Sequence, residues 1–356
     1  MERLNNNSMV SFILYWLILS VSSPDTREGF TLREKLSEYN FFQGEMKDLA
    51  PADGVMPYEV NTSLFSNYSE KARFFVLPEG GAMLYNDSSV FTFPVGTVLI
   101  KNFFYPVDFR KPEKGRIILE TRLLVHEKNG WAAYPYIWDE AQREAYYDPA
   151  GDRRTVRYVN ASGKRIQTSY QIPDKNQCKT CHWRGNAMVP LGLSARQLNR
   201  RVTLAGREDN QMKRWMSAGL LEALPENGDV PSGVVWDDPA TGSLDARARA
   251  YLDANCGHCH RPNGMASTSG LFLDVHQTDP LRLGVNKTPV AAGRGAGNLR
   301  YGIVPGNPEK SILVFRMKTN DAAIAMPEIG REQVHAEGVA LIEEWIRNGT
   351  FAQSQK

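Results

Sequence analysis

The sequence predicts an α+β multidomain fold with an N-terminal antiparallel β domain, a helical spacer and a C-terminal all-α domain. Aromatic and β-branched runs separated by turn residues fill residues 56–185. Helical patterns dominate residues 186–239, and capped or amphipathic helical segments recur through residues 240–350. The chain has 356 residues, which is enough for two or three domains that each bury a core.

The first residues are typical of a secretory signal peptide. An arginine near the start precedes an apolar run from Met9 to Val21, and small residues follow at Ser22 and Ser23. A retained membrane anchor is the alternative, but the run is shorter than the roughly 20 residues that a spanning helix needs. We therefore predict a signal peptide at residues 1–23, a bacterial protein that is periplasmic or secreted, and no stable membrane span after cleavage.

Residues 24–55 are predicted to be a leader with one short helix near "LREKLSEY". In residues 56–185, the runs "ARFFVL", "VFTFPVGTVLIKNFFY", "GRIILETRLLV" and "GWAAYPYIW" alternate with "PEGG", "RKPEKG" and "EKNG". Strand-like runs separated by Gly, Pro and Asn at this spacing indicate antiparallel hairpins. The region is therefore predicted to be a β sandwich or a small barrel.

Helical patterns follow the β-rich region. In the spacer and linker at residues 186–239, "SARQLNRRV" and "EDNQMKRWMSAGLLEAL" predict helices, and a Pro/Gly-rich segment ends the region. In residues 240–350, "SLDARARAYLDANC" begins at a Ser or Asp cap, "SILVFRMK" is a short helix and "EQVHAEGVALIEEWIRNG" is amphipathic. These three segments are the basis for the predicted all-α C-terminal domain.

The net charge of +2 and the absence of like-charge runs give no reason to expect a nucleic-acid partner. The hydrophobic content of 42% and charged content of 23% are those of an ordinary globular protein.

All four cysteines fall in two copies of one short motif, C-x-x-C-H. The first copy is Cys178, Cys181 and His182, and the second is Cys256, Cys259 and His260. With 6 histidines in 356 residues, a histidine follows both pairs by chance well under about one time in a thousand. Paired zinc motifs usually stand about 15–20 residues apart, far closer than these. Disulfides would suit an exported chain but would not explain the histidines.

C-x-x-C-H is the sequence to which haem is covalently attached. The two thiols add to the two vinyl groups of the ring, and the histidine ligates the iron. The sequence therefore predicts two covalently attached haem c groups, with His182 and His260 as iron ligands.

A methionine is the usual sixth ligand in electron-carrying cytochromes c, where it raises the reduction potential. Met326 precedes a proline in the extended segment "AAIAMPEIG", 66 residues after His260. This position favours Met326 as the ligand of the second haem. Met317 is the alternative, although it sits in the apolar pattern of a helix and is expected in the core.

The sixth ligand of the first haem is left open. The candidates are Lys101, His126, Met188, Met212 and Met216. Met188 follows His182 by six residues, which is too close to reach the opposite face of a ring, and Lys101 is expected to be a surface lysine at a strand end. The remaining histidines, His276 and His335, are expected in surface or loop positions.

Residues 240–350 resemble a class I cytochrome c domain. The order of "NCGHCH", "IVPGNPEKSIL", "MPEIG" and "EEWI" carries the resemblance. It implies a small helical bundle around one haem and outer-sphere electron transfer. It also implies that His260 and Met326 ligate the iron while Cys256 and Cys259 hold the ring.

Residues 56–185 loosely resemble the β-sheet haem cytochromes of the hydroxylamine-oxidising, lysine-cross-linked type. "FPVGTVLIKNFF" matches the pattern FP-x-GT-x-x-x-K of those proteins, with Lys101 at the lysine position. The resemblance implies an iron that can be five-coordinate, with an open face for a small ligand. The whole chain also resembles exported dihaem proteins of bacteria, which supplies an architecture but no substrate.

Together these observations predict an exported dihaem c-type cytochrome that transfers electrons between redox partner proteins in the periplasm. An electron-transfer protein is favoured over a catalyst, because no acid–base constellation stands out in the sequence. The alternative is a haem enzyme or gas-binding protein that uses an open first haem, with the C-terminal domain as its electron relay.

Overall fold

A computed structural model describes residues 30–204, 206–225, 229–349 and 351. The signal peptide predicted at residues 1–23 lies outside the described residues. In the part of the chain that is described, no helix is both long and apolar enough to cross a membrane.

The centre of the fold is a six-stranded antiparallel sheet with the strand order β1-β2-β4-β5-β6-β7. The strands up to β7 are β1 Met56–Pro57, β2 Glu70–Val76, β3 Met83–Leu84, β4 Val98–Pro106, β5 Arg116–Glu127, β6 Gly130–Trp138 and β7 Ala145–Tyr147. A separate antiparallel hairpin follows, formed by β8 Asp152–Val159 and β9 Arg165–Ile172. β-branched and aromatic residues dominate the long strands, as their strand propensity requires.

Both faces of the sheet are buried, which explains the nearly continuous apolar runs in its central strands. On one face, Val98 and Ile100 pack against Leu36, Phe41 and Leu49 of the N-terminal segment. The short helix predicted in that segment is a 3-10 helix at Leu36–Tyr39.

The opposite face carries Phe75, Leu99 and Leu124, which pack in one cluster with Cys178 and Trp215. Because successive side chains of a strand point to opposite faces, the alternate residues of β2, β4 and β5 all reach this side. This face of the sheet therefore supports the first C-x-x-C-H motif.

The motif itself lies on a short helix, α1 Gln177–His182. Beyond it come β10 Trp183–Arg184, β11 Ala187–Met188, α2 Ala195–Leu198, β12 Arg201–Leu204, β13 Arg207–Asn210, α3 Gln211–Ser217 and β14 Leu221–Glu222. β10 pairs with β11, β12 pairs with β13, and β14 runs parallel to β3.

The C-terminal part contains three α-helices, α4 Leu244–Leu252, α5 Ile312–Lys318 and α6 Ala336–Asn348. Ser243 caps α4 by accepting a hydrogen bond from the backbone N–H of Ala246, at 3.2 Å. A π-helical turn at Asp253–Gly257 continues α4 directly into the second motif. α6 crosses α4 at Gly338, where a Cβ atom would overlap the ring of Tyr251.

The sheet and the C-terminal part are joined by hydrogen bonds between buried groups. The side-chain oxygen of Asn67 accepts from the backbone N–H groups of Glu332 and Gln333, at 2.6 and 3.0 Å. The backbone N–H of Phe65 donates to the side-chain oxygen of Asn255, at 2.7 Å. These bonds fix the second motif relative to the sheet, because Asn255 immediately precedes it.

The fold class predicted from the sequence is wrong. The described chain is mostly β-sheet with six short α-helices, and residues 240–350 do not form an all-α cytochrome c domain. The three predicted helices of that region are present, with 9, 7 and 13 residues. The long Gly- and Pro-containing segment between α4 and α5 forms turns, short 3-10 helices and isolated β-bridges instead of further helices.

The predicted helical spacer is wrong for a related reason. The residues "EDN", predicted to begin a helix, belong instead to β13, which pairs with β12. α3 then ends after Ser217, because Gly219 adopts a left-handed φ of 69° and donates a hydrogen bond to the carbonyl of Met216. Local hairpin pairing and this glycine outweigh the helix propensity of the surrounding residues.

A buried ion pair on β5 gives a first testable prediction. Glu120 is fully buried; its carboxylate contacts the guanidinium of Arg122 at 2.5 and 2.6 Å and the hydroxyl of Tyr170 at 2.7 Å. Glu120→Gln removes the charge and leaves Arg122 without its counterion. We expect a loss of about 3 kcal/mol in the free energy of unfolding, measured by urea denaturation.

The control for this prediction is Glu343→Gln. Glu343 pairs with Lys318, whose side chain is 56% exposed, and such pairs contribute about 0–1 kcal/mol. An equally small effect of both substitutions would contradict a stabilising role for the buried pair.

Candidate functional site

The two C-x-x-C-H motifs meet in the folded chain. The thiol of Cys259 lies 3.2 Å from the backbone carbonyl oxygen of Thr180. The sulfurs of Cys181 and Cys259 and a ring nitrogen of His258 all lie within 4.8 Å of one another. The end of α1 and the turn after α4 thus form one site, although the motifs are far apart in the sequence.

The four cysteines are free thiols in different electrostatic surroundings. Interaction with the neighbouring thiol of Cys259, together with the nearby ring of His258, holds the pKa of Cys181 well below its usual value, despite burial. The same interaction and burial raise the pKa of Cys259. Burial raises the pKa of Cys256 to about 12. Cys181 is therefore the thiol that ionises most readily, and the thiolate is the reactive form.

The second motif opens onto a cavity of about 530 Å³. Cys256, Cys259, His260 and Met326 all line this cavity. The wall is largely apolar and includes Leu271, Leu273, Leu283, Ile303, Ile312, Leu313 and Met317. Volume and lining are typical of a pocket for a sizeable apolar group.

His260 has the properties of a metal ligand. Burial lowers its pKa to about 4, although a hydrogen bond to the backbone of Leu271 acts in the opposite direction. Its Nδ1 lies 3.5 Å from the hydroxyl of Ser269. The ring is therefore neutral at pH 7, and its neighbours fix its orientation.

The segment that carries Met326 is held by backbone contacts. The N–H of Met326 donates to the carbonyl of Arg316 at 3.1 Å. The guanidinium of Arg331 donates to the carbonyls of Met326 and Met317, at 3.0 and 2.6 Å. Both Met326 and Met317, the alternative iron ligand, line the cavity, and Met317 belongs to helix α5.

The first motif has more enclosed surroundings. Cys178 is 8% exposed and packs with Leu193 and Trp215, with its sulfur 3.6 Å from the carbonyl oxygen of Asp174. Nδ1 of His182 lies 2.8 Å from the carbonyl oxygen of Val189. This bond places the proton on Nδ1 and leaves Nε2 available to a ligand.

His182 lines a smaller cavity of about 220 Å³. Burial lowers the pKa of His182 to about 4, so this ring is also neutral at pH 7. Lys101, predicted to be a surface lysine, lines the same cavity from the middle of β4. His258 and His276 line it as well.

The other proposed ligands of the first haem lie elsewhere. Met188 and Met212 are buried in the cluster that packs on the sheet, and Met216 is 48% exposed. His126 stacks on Trp131, with ring centroids 4.7 Å apart. Among the described residues, no methionine lines the cavity of His182.

His335, predicted in a surface or loop position, lies in the loop directly before α6, but its side chain is not at the surface. Its ring stacks on Phe65, with centroids 4.1 Å apart, and its Nδ1 lies 2.9 Å from the hydroxyl of Tyr251. Its side chain is 12% exposed, and burial lowers its pKa to about 4.

Three residues of the site could not be recognised in the sequence. His258 occupies a variable position inside the second motif, where residue type carries no signal. Arg73 and Arg122 reach the cavity of His182 only because strand register places them beside Lys101.

No protein-family model, curated protein or solved structure matches this chain. Any function must therefore be argued from the site itself, since a fold alone does not define one.

Proposed function

We propose that the chain is an exported dihaem c-type cytochrome that transfers electrons between redox partner proteins. Cys178 and Cys181 would hold one haem c and Cys256 and Cys259 the other. The observation that carries the proposal is the direct contact between the two motifs at Thr180, Cys181 and Cys259. Two attachment sites that share a boundary are suited to passing electrons within one chain.

The residues of the second site fit a haem. Its cavity is apolar and is bordered by both cysteines of the motif. His260 is neutral and would supply one nitrogen ligand, and Met326 would supply a thioether sulfur as the second ligand. The apolar wall would exclude water from a bound haem, which favours the reduced state of its iron.

The donor set of the first site also suits a haem iron. The bond from His182 to Val189 leaves Nε2 as the ligating nitrogen. The adjoining cavity is less than half the volume of the second, so we expect its side chains to shift outward when the ring is attached.

When bound, each haem supplies an iron that takes up and releases one electron. The chain holds each imidazole in one orientation and keeps it unprotonated. It also lines the second cavity with apolar side chains and places the sulfurs of Cys181 and Cys259 together. The arrangement would hold both haems in one site.

A haem enzyme or gas-binding protein is the second candidate. It is favoured by the absence of a methionine, among the described residues, from the cavity of His182. An iron ligated there by His182 alone would keep one face open to a small molecule. The sixth ligand at this site therefore separates the two functions.

A site for a soft metal ion is a further alternative for the cluster of Cys181, His258 and Cys259. The cluster provides three ligands, whereas a structural zinc site is almost always closed by four. Two haems would also give a role to Cys178, Cys256, His182 and His260, which this metal site would leave unused.

The test is to express the chain with haem-maturation machinery and to count covalent haem by pyridine haemochrome. We expect two haems per chain, and none in the same chain made without that machinery. Fewer than two would contradict the proposal, and stoichiometric zinc without haem would favour the metal site. Visible and EPR spectra with carbon monoxide then distinguish a carrier, with two unreactive low-spin haems, from an enzyme or gas binder, with one reactive high-spin haem.

A further inference from the structure

We propose that the cavity beside His182 binds an oxyanion, held by Arg73, Lys101 and Arg122. This inference goes beyond electron transfer, because it assigns a binding site for a charged ligand. The ligand is either a free small oxyanion or a carboxylate of the haem attached at the first motif, and only the second source rests on the proposed function.

Strand register brings the three cations together. Arg73 of β2 is paired with Lys101 of β4, and Lys101 is paired with Arg122 of β5. Directly paired residues of neighbouring strands point to the same face, so the three side chains form one row across the sheet. All three line the cavity.

Three cationic side chains in one row destabilise the folded sheet unless an anion lies beside them. Like charges directly opposite one another destabilise a sheet, and burial increases the cost. The pKa of Lys101 is held well below its usual value, first by burial and then by the positive charges of Arg73 and Arg122. Burial and repulsion thus disfavour the charged form of Lys101 in the sheet alone, and an anion bound beside the row would favour it.

A nearby carboxylate neutralises only one member of the row, and none of the ion pairs among the described residues involves Arg73 or Lys101. Glu120 pairs only with Arg122, and one of its oxygens also accepts from Tyr170. Arg73 donates to the hydroxyl of Ser63 at 2.9 Å.

Lys101 is the least satisfied member of the row. In the part of the chain that the structure describes, its ammonium has no hydrogen bond or ion pair. Its Nζ lies 4.9 Å from the centroid of the Phe103 ring. A half-buried ammonium that lines a cavity without an acceptor marks the place where a ligand oxygen would bind.

The rest of the lining leaves an excess of positive charge. Six Lys and Arg side chains and three Asp side chains line the cavity. Asp253 accepts from the backbone N–H of Val275 at 3.0 Å, and Asp274 accepts from that of His276 at 3.3 Å. These two carboxylates accept hydrogen bonds from backbone N–H groups of the C-terminal part and form no ion pair with Arg73, Lys101 or Arg122.

The donor types favour an oxyanion. A guanidinium presents forked N–H groups that match two oxygens, and an ammonium adds a compact charge beside them. A cavity of about 220 Å³ accommodates a nitrite-sized anion with water, given that one water occupies about 30 Å³.

The test uses nitrite as the probe, with binding measured by isothermal titration calorimetry and by the shift in thermal unfolding temperature. The chain is studied both with its haems and as made without maturation machinery. The variants are Arg73→Gln and Lys101→Met, each compared with wild type. The control is Arg116→Gln, which removes an exposed cation from the same sheet.

If the site binds a free oxyanion, we expect one nitrite to bind per holoprotein. The affinity for nitrite should fall at least about tenfold in Arg73→Gln and Lys101→Met and stay within twofold of wild type in Arg116→Gln. If a haem carboxylate occupies the site, nitrite should bind only the haem-free chain. Arg73→Gln and Lys101→Met should then weaken nitrite binding to that haem-free chain by the same factor. Nitrite binding to neither form, or equal binding by Lys101→Met and wild type, would overturn the proposal. Nitrite binding to a chain that never acquires haem would leave the oxyanion site standing while the proposed function fails.

Discussion

In the dihaem cytochrome that we propose, replacing Cys256 and Cys259 with alanine is expected to lower the covalent haem content of the chain from two groups to one. The reason is chemical, because a ring is held covalently only through thioethers from these two sulfurs. Cys178→Ala with Cys181→Ala should have the same effect on the other haem. Pyridine haemochrome and the intact mass of the purified chain measure the change.

Each pair of substitutions is the control for the other, since both remove two buried or half-buried sulfurs of the same site. The haem that remains should differ between the two variants. The variant without Cys178 and Cys181 keeps the haem of His260 and Met326, which should be low-spin. The variant without Cys256 and Cys259 keeps the haem of His182, and its spectrum reports the ligands of the first site. Two covalent haems in either variant would contradict the assignment of the motifs.

If Met326 ligates the second haem as we propose, Met326→Leu is expected to lower the reduction potential of that haem by on the order of 0.1 V. Loss of the thioether also leaves a coordination position open, so the reduced protein should bind carbon monoxide at that haem. Leucine keeps the apolar volume, which limits the change in packing. Redox titration followed in the visible spectrum measures the effect.

Met317→Leu is the matched control, because Met317 lines the same cavity and is 5% exposed in α5. It should leave the potential nearly unchanged and affect stability by less than about 1.5 kcal/mol. A large shift in Met317→Leu with none in Met326→Leu would transfer the ligand role to Met317.

The two cysteine motifs and two of the C-terminal helices could be recognised in the sequence because their signal is local. Five positions of sequence define each motif, and the Ser cap and apolar spacing define α4 and α6. The segment between α4 and α5 could not be predicted in the same way. Its isolated bridges, such as Val285 with Ile303, depend on contacts that no local pattern encodes.

The meeting of the two motifs is likewise a property of the whole fold. It requires α1 to pack on the sheet through Cys178, and α4 to be held by α6 and by the bond from Phe65 to Asn255. The row of Arg73, Lys101 and Arg122 depends in turn on the register of three strands. Its members look like unrelated strand residues when the sequence is read alone.

The burial of Cys178 bears on the order in which folding and the proposed haem attachment take place. Cys178 is 8% exposed, and Cys259 is already in contact with Thr180 across the junction of the two parts. If haem is attached as we propose, an enzyme would reach the buried sulfur of Cys178 only before α1 packs on the sheet. Attachment at the first motif would then come before the last stage of folding, and the maturation machinery would act on a chain that closes around this haem afterwards.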